Sequence, residues 1–138
     1  MYLSELKCWN FRKFGSLDPF ENKKDKPDLA IPFQSGLNLL VGENDSGKTT
    51  IIDAIKLILL TNSREYIRLE LDDFYYKNED TANKLRIECN FKFDPNDSKA
   101  HNFLEWGHFN AENEFELRVF IEAKIKKLKL CPMTFEEE

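Results

Sequence analysis

Residues 42 to 49 read Gly-Glu-Asn-Asp-Ser-Gly-Lys-Thr, a complete G-x-x-x-x-G-K-[ST]. The apolar run Leu37 to Val41 precedes them, and Ile51, Ile52, Ile55, Ile58 and Leu59 recur at helical spacing within Thr49 to Leu60. A strand buried on both faces, a glycine loop and an amphipathic helix of about three turns are therefore expected in that order. Each fixed position has a physical reason. Gly42 and Gly47 let the backbone curl so that successive N–H groups converge on an anion, in conformations a side chain would obstruct. The helix starting near Lys48 adds uncapped N–H groups and the positive end of its dipole. Lys48 can reach the β- and γ-phosphates of a nucleotide as a point charge, and the Thr49 hydroxyl can ligate Mg2+. The strand before and the helix after separate this phosphate loop from a plain glycine turn.

A chain of 138 residues has room for about one domain. Hydrophobic residues at 41% and charged residues at 33% place it with globular rather than disordered chains. Lys plus Arg number 20 against 25 Asp plus Glu, and the net −5 argues against a generally basic nucleic-acid coat while leaving a local patch open. Cys8, Cys89 and Cys131 form no C-x-x-C pair and have no histidine set beside them, so they read as reduced thiols. Charges at Glu5, Lys7, Arg12 and Lys13 break the N-terminal segment, and Lys56 interrupts the longest apolar run. No export signal or membrane span is visible, and a cytoplasmic location is expected.

Elsewhere the pattern is mostly that of strands. Residues 2 to 14 alternate loosely and suit an opening strand, followed by a turn near Gly15. Glu21 to Asp28 contains no apolar residue and reads as a solvated loop, and Leu29 to Phe33 as a short strand. Residues 61 to 83 carry no clear periodicity beyond a short strand or turn near Tyr66 to Phe74. Lys84 to Phe93 alternates cleanly, with Leu85, Ile87, Cys89, Phe91 and Phe93 on one face. After the turn Asp94 to Asp97, Ala100, Phe103, Leu104 and Gly107 suggest a short helix. Phe115 to Ile125 then pairs with the first alternating strand as an antiparallel ribbon, and the last thirteen residues read as a fraying tail.

The stretch GLNLLVGENDSGKTTIIDAIKLIL, with the opening LKCWNFRKF, resembles the N-terminal lobe of the RecF/SMC-like branch of ABC-type ATPases. Within that branch it most resembles the OLD family of ATP-dependent endonucleases. Asn10-Phe11-Arg12 after the first strand, the Gly-Glu-Asn form of the loop and Asp53-Ala54-Ile55 carry the resemblance, which is good over residues 1 to about 76. It implies an α/β P-loop NTPase fold with an antiparallel subsheet, a single incomplete ATPase domain over residues 1–138, and ATP with Mg2+ as cofactors. The implied nucleotide-binding residues are Gly42, Glu43, Asn44, Asp45, Ser46, Gly47, Lys48, Thr49, Thr50 and Arg12, with Thr49 on the metal. Asn44, Asp45 and Ser46 would contribute backbone N–H groups. Arg12 resembles the arginine that approaches the nucleotide from the first strand in this branch, against the alternative of a solvent-exposed turn cation. Asp53 is expected near the helix start for its favourable dipole.

Several parts of such an ATPase are missing. No run of four apolar residues ends in Asp-Glu, so a Walker B aspartate and its glutamate are absent, as are a Ser-Gly-Gly or Ser-Gly-Glu signature and a glutamine downstream of the loop. The expectation is an N-terminal fragment, inactive alone. A C-terminal lobe and a second head would complete the ATP site, a Toprim domain would cut DNA if the parent is OLD-like, and DNA would be a partner. The alternatives are a RecF-like repair ATPase without a nuclease domain and a non-catalytic truncated regulator. Asp72 and Asp73 read as a turn or helix cap rather than a metal pair, because adjacent side chains on an extended chain point opposite ways. Arg118, Lys124, Lys126, Lys127 and Lys129 read as cations that protect a strand edge, with DNA contact as the alternative, and His101 and His108 as surface histidines.

Overall fold

The computed structural model describes residues 1–60, 69–94 and 96–126. In chain order the elements are β1 (Tyr2–Trp9), β2 (Leu29–Pro32), α1 (Lys48–Leu60), β3 (Tyr76–Lys77), β4 (Asp80–Thr81), β5 (Lys84–Lys92), β6 (His108–Phe109) and β7 (Phe115–Lys124). Short 3-10 turns cover Phe20–Lys23, Leu71–Asp73 and Ser98–Phe103. Five strands form one antiparallel sheet in the order β2-β1-β5-β7-β6, and β3 and β4 make a separate hairpin.

Alternation along these strands places apolar side chains in rows across one face of the sheet. Ile31, Leu6, Cys89 and Val119 lie in register, as do Leu29, Cys8, Ile87 and Ile121. Onto this face α1 lays Ile51, Ala54 and Ile58, all buried, in contact with β5 and β7. Their spacing of three and four residues is one helix stripe. The opposite face carries Lys7, Trp9, Arg86, Glu88, Asn90, Arg118 and Glu122, and it is not uniformly wet. Glu88 is buried between Arg86 at 2.7 Å and Arg118 at 3.4 Å. A second, smaller core at the far end of the sheet joins Phe93, Ala100, Phe115 and Leu117, with Phe93 and Phe115 packed edge to face.

Several expectations need correction. Leu37 to Val41 is not a buried strand: no strand is assigned there, and Leu37, Leu39 and Val41 are 96%, 81% and 84% exposed. No described strand pairs with 37–41, and the free edge of β2 is left open. Ile52 and Leu59 are likewise exposed on the helix face turned away from the sheet. The opening strand stops at Trp9, because Asn10 and Arg12 adopt left-handed backbone angles of +54° and +51°. The loop from Glu21 to Asp28 is not wholly solvated. Lys23 is buried, its ammonium bonded to Asn10 Oδ1, Ser16 and Asp28 Oδ2. The short helix expected near Ala100 is a six-residue 3-10 helix, Ser98–Phe103. The β3–β4 hairpin and β6 were not anticipated. Residues 61–68 and the tail from 127, including Lys127, Lys129 and Cys131, lie outside the described residues. Among the described residues no helix is long and apolar enough to cross a membrane.

Candidate functional site

The loop from Gly42 to Gly47 runs into α1, whose first residue is Lys48. Asp45 and Gly47 both have positive φ, +67° and +103°, in the loop just before the helix. Asp tolerates the left-handed region through its short polar side chain, and Gly enters it without steric cost. A Cβ on Gly42 would stand 2.6 Å from Ser46 Oγ and 3.2 Å from Ser46 Cβ, so a side chain there would push Ser46 aside. The Ser46 N–H donates to the Glu43 carbonyl at 3.2 Å, closing a turn within the loop, and the Ile51 N–H donates to the Gly47 carbonyl at 3.0 Å, the first turn of the helix. Glu43, Asn44, Asp45 and Ser46 are all exposed along the crest.

Lys48 Nζ folds back over the loop and donates to the carbonyls of Gly42 and Glu43, the second at 3.1 Å. Its ammonium therefore stands over the cradle of backbone groups, where an anion would meet it. Thr49 is exposed at the helix start, whereas Thr50 is buried in the fold. The hydroxyl open to a ligand is that of Thr49.

The turn after β1 packs against this loop. The ring of Phe14 covers Gly47, and Lys13 Nζ donates to the Asp45 carbonyl. Lys13 escaped the sequence reading; its one signal is its place beside Arg12 in a segment that must dock on the loop. Arg12 is half-buried and doubly held. Its Nη1 lies 2.6 Å from Asp53 Oδ2 on α1, and its Nε 3.0 Å from Asp73 Oδ1. Burial by itself would lower the guanidinium's pKa, but hydrogen bonds to Asp53 and Asp73 outweigh it and raise it above the ordinary value. The expected dipole role of Asp53 gives way to this ion pair, since Asp53 lies beyond the first helical turn, where the dipole effect has faded.

Asp72 and Asp73 do sit in a turn. Asp73 closes a capping box with Glu70, whose N–H donates to Asp73 Oδ2 at 2.9 Å, and its second oxygen serves Arg12. Among the described residues no cluster of three or more metal-ligating side chains occurs. His101 and His108 are exposed. One cation of β7 and two of β5 are paired within the sheet. Arg118 pairs with Glu88, while Lys84 at 2.9 Å and Arg86 at 3.4 Å hold the Glu122 carboxyl below its usual range.

A family model described as AAA domain matches residues 5–134. The chain is 38% identical over 63 residues to the DNA replication and repair protein RecF of Pediococcus pentosaceus, covering 46% of this chain and 14% of that protein. It is 31% identical over 86 residues to Endonuclease GajA of Bacillus cereus, covering 56% and 12%. It is 29% identical over 100 residues to the DNA double-strand break repair Rad50 ATPase of Pyrococcus abyssi, covering 72% and 10%. A solved structure from work on ATP-driven dimerization and DNA-stimulated activation of SMC ATPases superimposes with a TM-score of 0.53 at 25% identity, over 88% of this chain and 63% of that one. The chain thus spans between a tenth and a seventh of the length of these three relatives.

Proposed function

The chain belongs to the AAA domain family and has the α/β fold of an ABC-type ATPase N-terminal lobe, and on that premise we propose that it binds ATP within an ATPase that acts on DNA. The observation that carries this reading is the convergence of Lys48 Nζ on the loop carbonyls of Gly42 and Glu43, in a loop where a Cβ on Gly42 would crowd Ser46 and one on Gly47 would meet Phe14. A triphosphate would draw Lys48 from those carbonyls and accept the N–H groups of the loop and the first helical turn. Thr49 fits Mg2+, which when bound would offset phosphate charge. Arg12 adds a guanidinium beside the first turns of α1.

Hydrolysis needs a group that orients water, and this sequence offers no Walker B pair for it. We assign that group to a further lobe or a second subunit. The exposed side chains of Leu37, Leu39 and Val41, with Ile52 and Leu59 of α1, support such a covering partner, because large apolar side chains left this exposed gain free energy when buried. Within the branch, the GajA match favours an OLD-like endonuclease. The RecF matches favour the second reading, a repair ATPase without a nuclease domain.

Equilibrium dialysis of the folded chain against Mg-ATP tests the ATP-binding reading. Retention of ATP that pyrophosphate displaces is expected, and absence of retention by a folded chain contradicts it. DNA cleavage or its absence in the parent protein separates the two finer readings.

A further inference from the structure

Arg12 is tied to one partner by both its backbone and its side chain. Its N–H donates to the Asp73 carbonyl at 2.8 Å, its Nε to the Asp73 carboxylate at 3.0 Å, and the neighbouring Tyr75 N–H returns a bond to the Asn10 carbonyl at 2.9 Å. This frame holds a non-glycine residue at a φ of +51°, a conformation that costs about 1–3 kcal/mol unless its surroundings enforce it. Asp53 completes the arrangement from α1 at Nη1. The two carboxylates take Nε and Nη1, so Nη2 is the nitrogen without a protein partner among the described residues. An ion pair whose arginine side chain is 33% exposed adds little to stability. What it fixes is the direction of a guanidinium whose next two residues, Lys13 and Phe14, already touch the phosphate loop.

We infer that Asp73, assisted by Asp53, is a positioning residue that aims Arg12 Nη2 at the phosphates of a bound nucleotide; the inference rests on the ATP-binding reading above. It carries a sign that simple electrostatics does not. Removing a negative charge beside a phosphate site should strengthen anion binding if the carboxylate only repels, and should weaken it if the carboxylate orients the arginine.

The test is Mg-ATP affinity of the full chain carrying Asp73→Asn, alone and in an Arg12→Ala background, with the melting temperature recorded without nucleotide. The backbone bond from Arg12 survives this substitution. Affinity is expected to fall by about fivefold in the first background and not in the second, the non-additivity of a coupled pair. Asp53→Asn should follow the same pattern. Affinity that rises or stays level with Asp73→Asn, or that falls equally in both backgrounds, overturns the inference. Lys48→Ala keeps the two readings apart. Binding that survives Lys48→Ala removes the loop as the ATP site and the positioning role with it, whereas binding lost there but indifferent to Asp73→Asn removes only the positioning role.

Discussion

Phe14 Cζ stands 2.5 Å from the place a Cβ on Gly47 would occupy, so the turn after the first strand and the second glycine of the phosphate loop close on each other. Gly47 also sits at a φ of +103°. Gly47→Ala therefore meets both a steric contact and a strained backbone, and it should destabilise the chain by about 2–4 kcal/mol in urea melts. Adding Phe14→Ala relieves only the contact. Full recovery in the double variant would show that the backbone conformation carries no strain.

The same turn is anchored from below by a buried charge. Asp28 Oδ2 accepts from Lys23 Nζ and from the Asn10 N–H, both at 2.9 Å. Asp28→Ala would leave the Lys23 ammonium buried and facing only neutral oxygens, at a cost of about 3–5 kcal/mol by denaturant unfolding. Lys23→Met in that background should restore most of the loss. A cost below about 1 kcal/mol would mean that Lys23 finds solvent when its partner goes.

Cys8 and Cys89 supply a pH dependence. Burial pushes both thiols from 9.0 up to about 12, because the thiolate would be desolvated in the core. A pKa raised on folding means that the folded chain keeps protons the unfolded chain releases. Stability from these groups is intact below pH 9 and is lost as pH rises toward 12, by about 1.4 kcal/mol per pH unit and thiol. Thermal melts between pH 8 and 11 should show this decline, and Cys8→Ala with Cys89→Ala should flatten it. An unchanged slope in the double variant would assign the decline to other groups.

The sheet and the loop were legible in the sequence for different reasons. Lys84–Lys92 and Phe115–Lys124 alternate with a period of two and pair over nine consecutive positions, so their own side chains dictated the ladder. Gly42 to Gly47 was legible as a tight loop running into a helix at Lys48, because the glycine spacing sets the turn and the apolar stripe sets the helix. Leu37 to Val41 misled because an apolar run shows that a segment prefers burial without showing what buries it. Asp73 was legible as a turn residue, but its bond to Arg12 joins positions 61 residues apart, and no local pattern encodes that. Lys23 misled because a charged run hid one lysine with four polar contacts beneath the fold.

Exposure of that apolar run makes its own prediction. Leu37→Ser with Leu39→Ser alters side chains that are 96% and 81% exposed, so stability should move by no more than about 0.5 kcal/mol. Dye binding to exposed apolar surface and concentration-dependent light scattering should both fall. A marked loss of stability would show that the segment is packed in solution.

The most direct measurement is calorimetric titration of the chain with Mg-ATP beside the Lys48→Ala variant, with circular dichroism recorded on both. Saturable binding by the native chain that disappears in a folded Lys48→Ala is the predicted result, because Lys48 is the cation poised over the loop carbonyls. Equal binding by both chains, or none by a folded native chain, would contradict the claim that this loop is an ATP site.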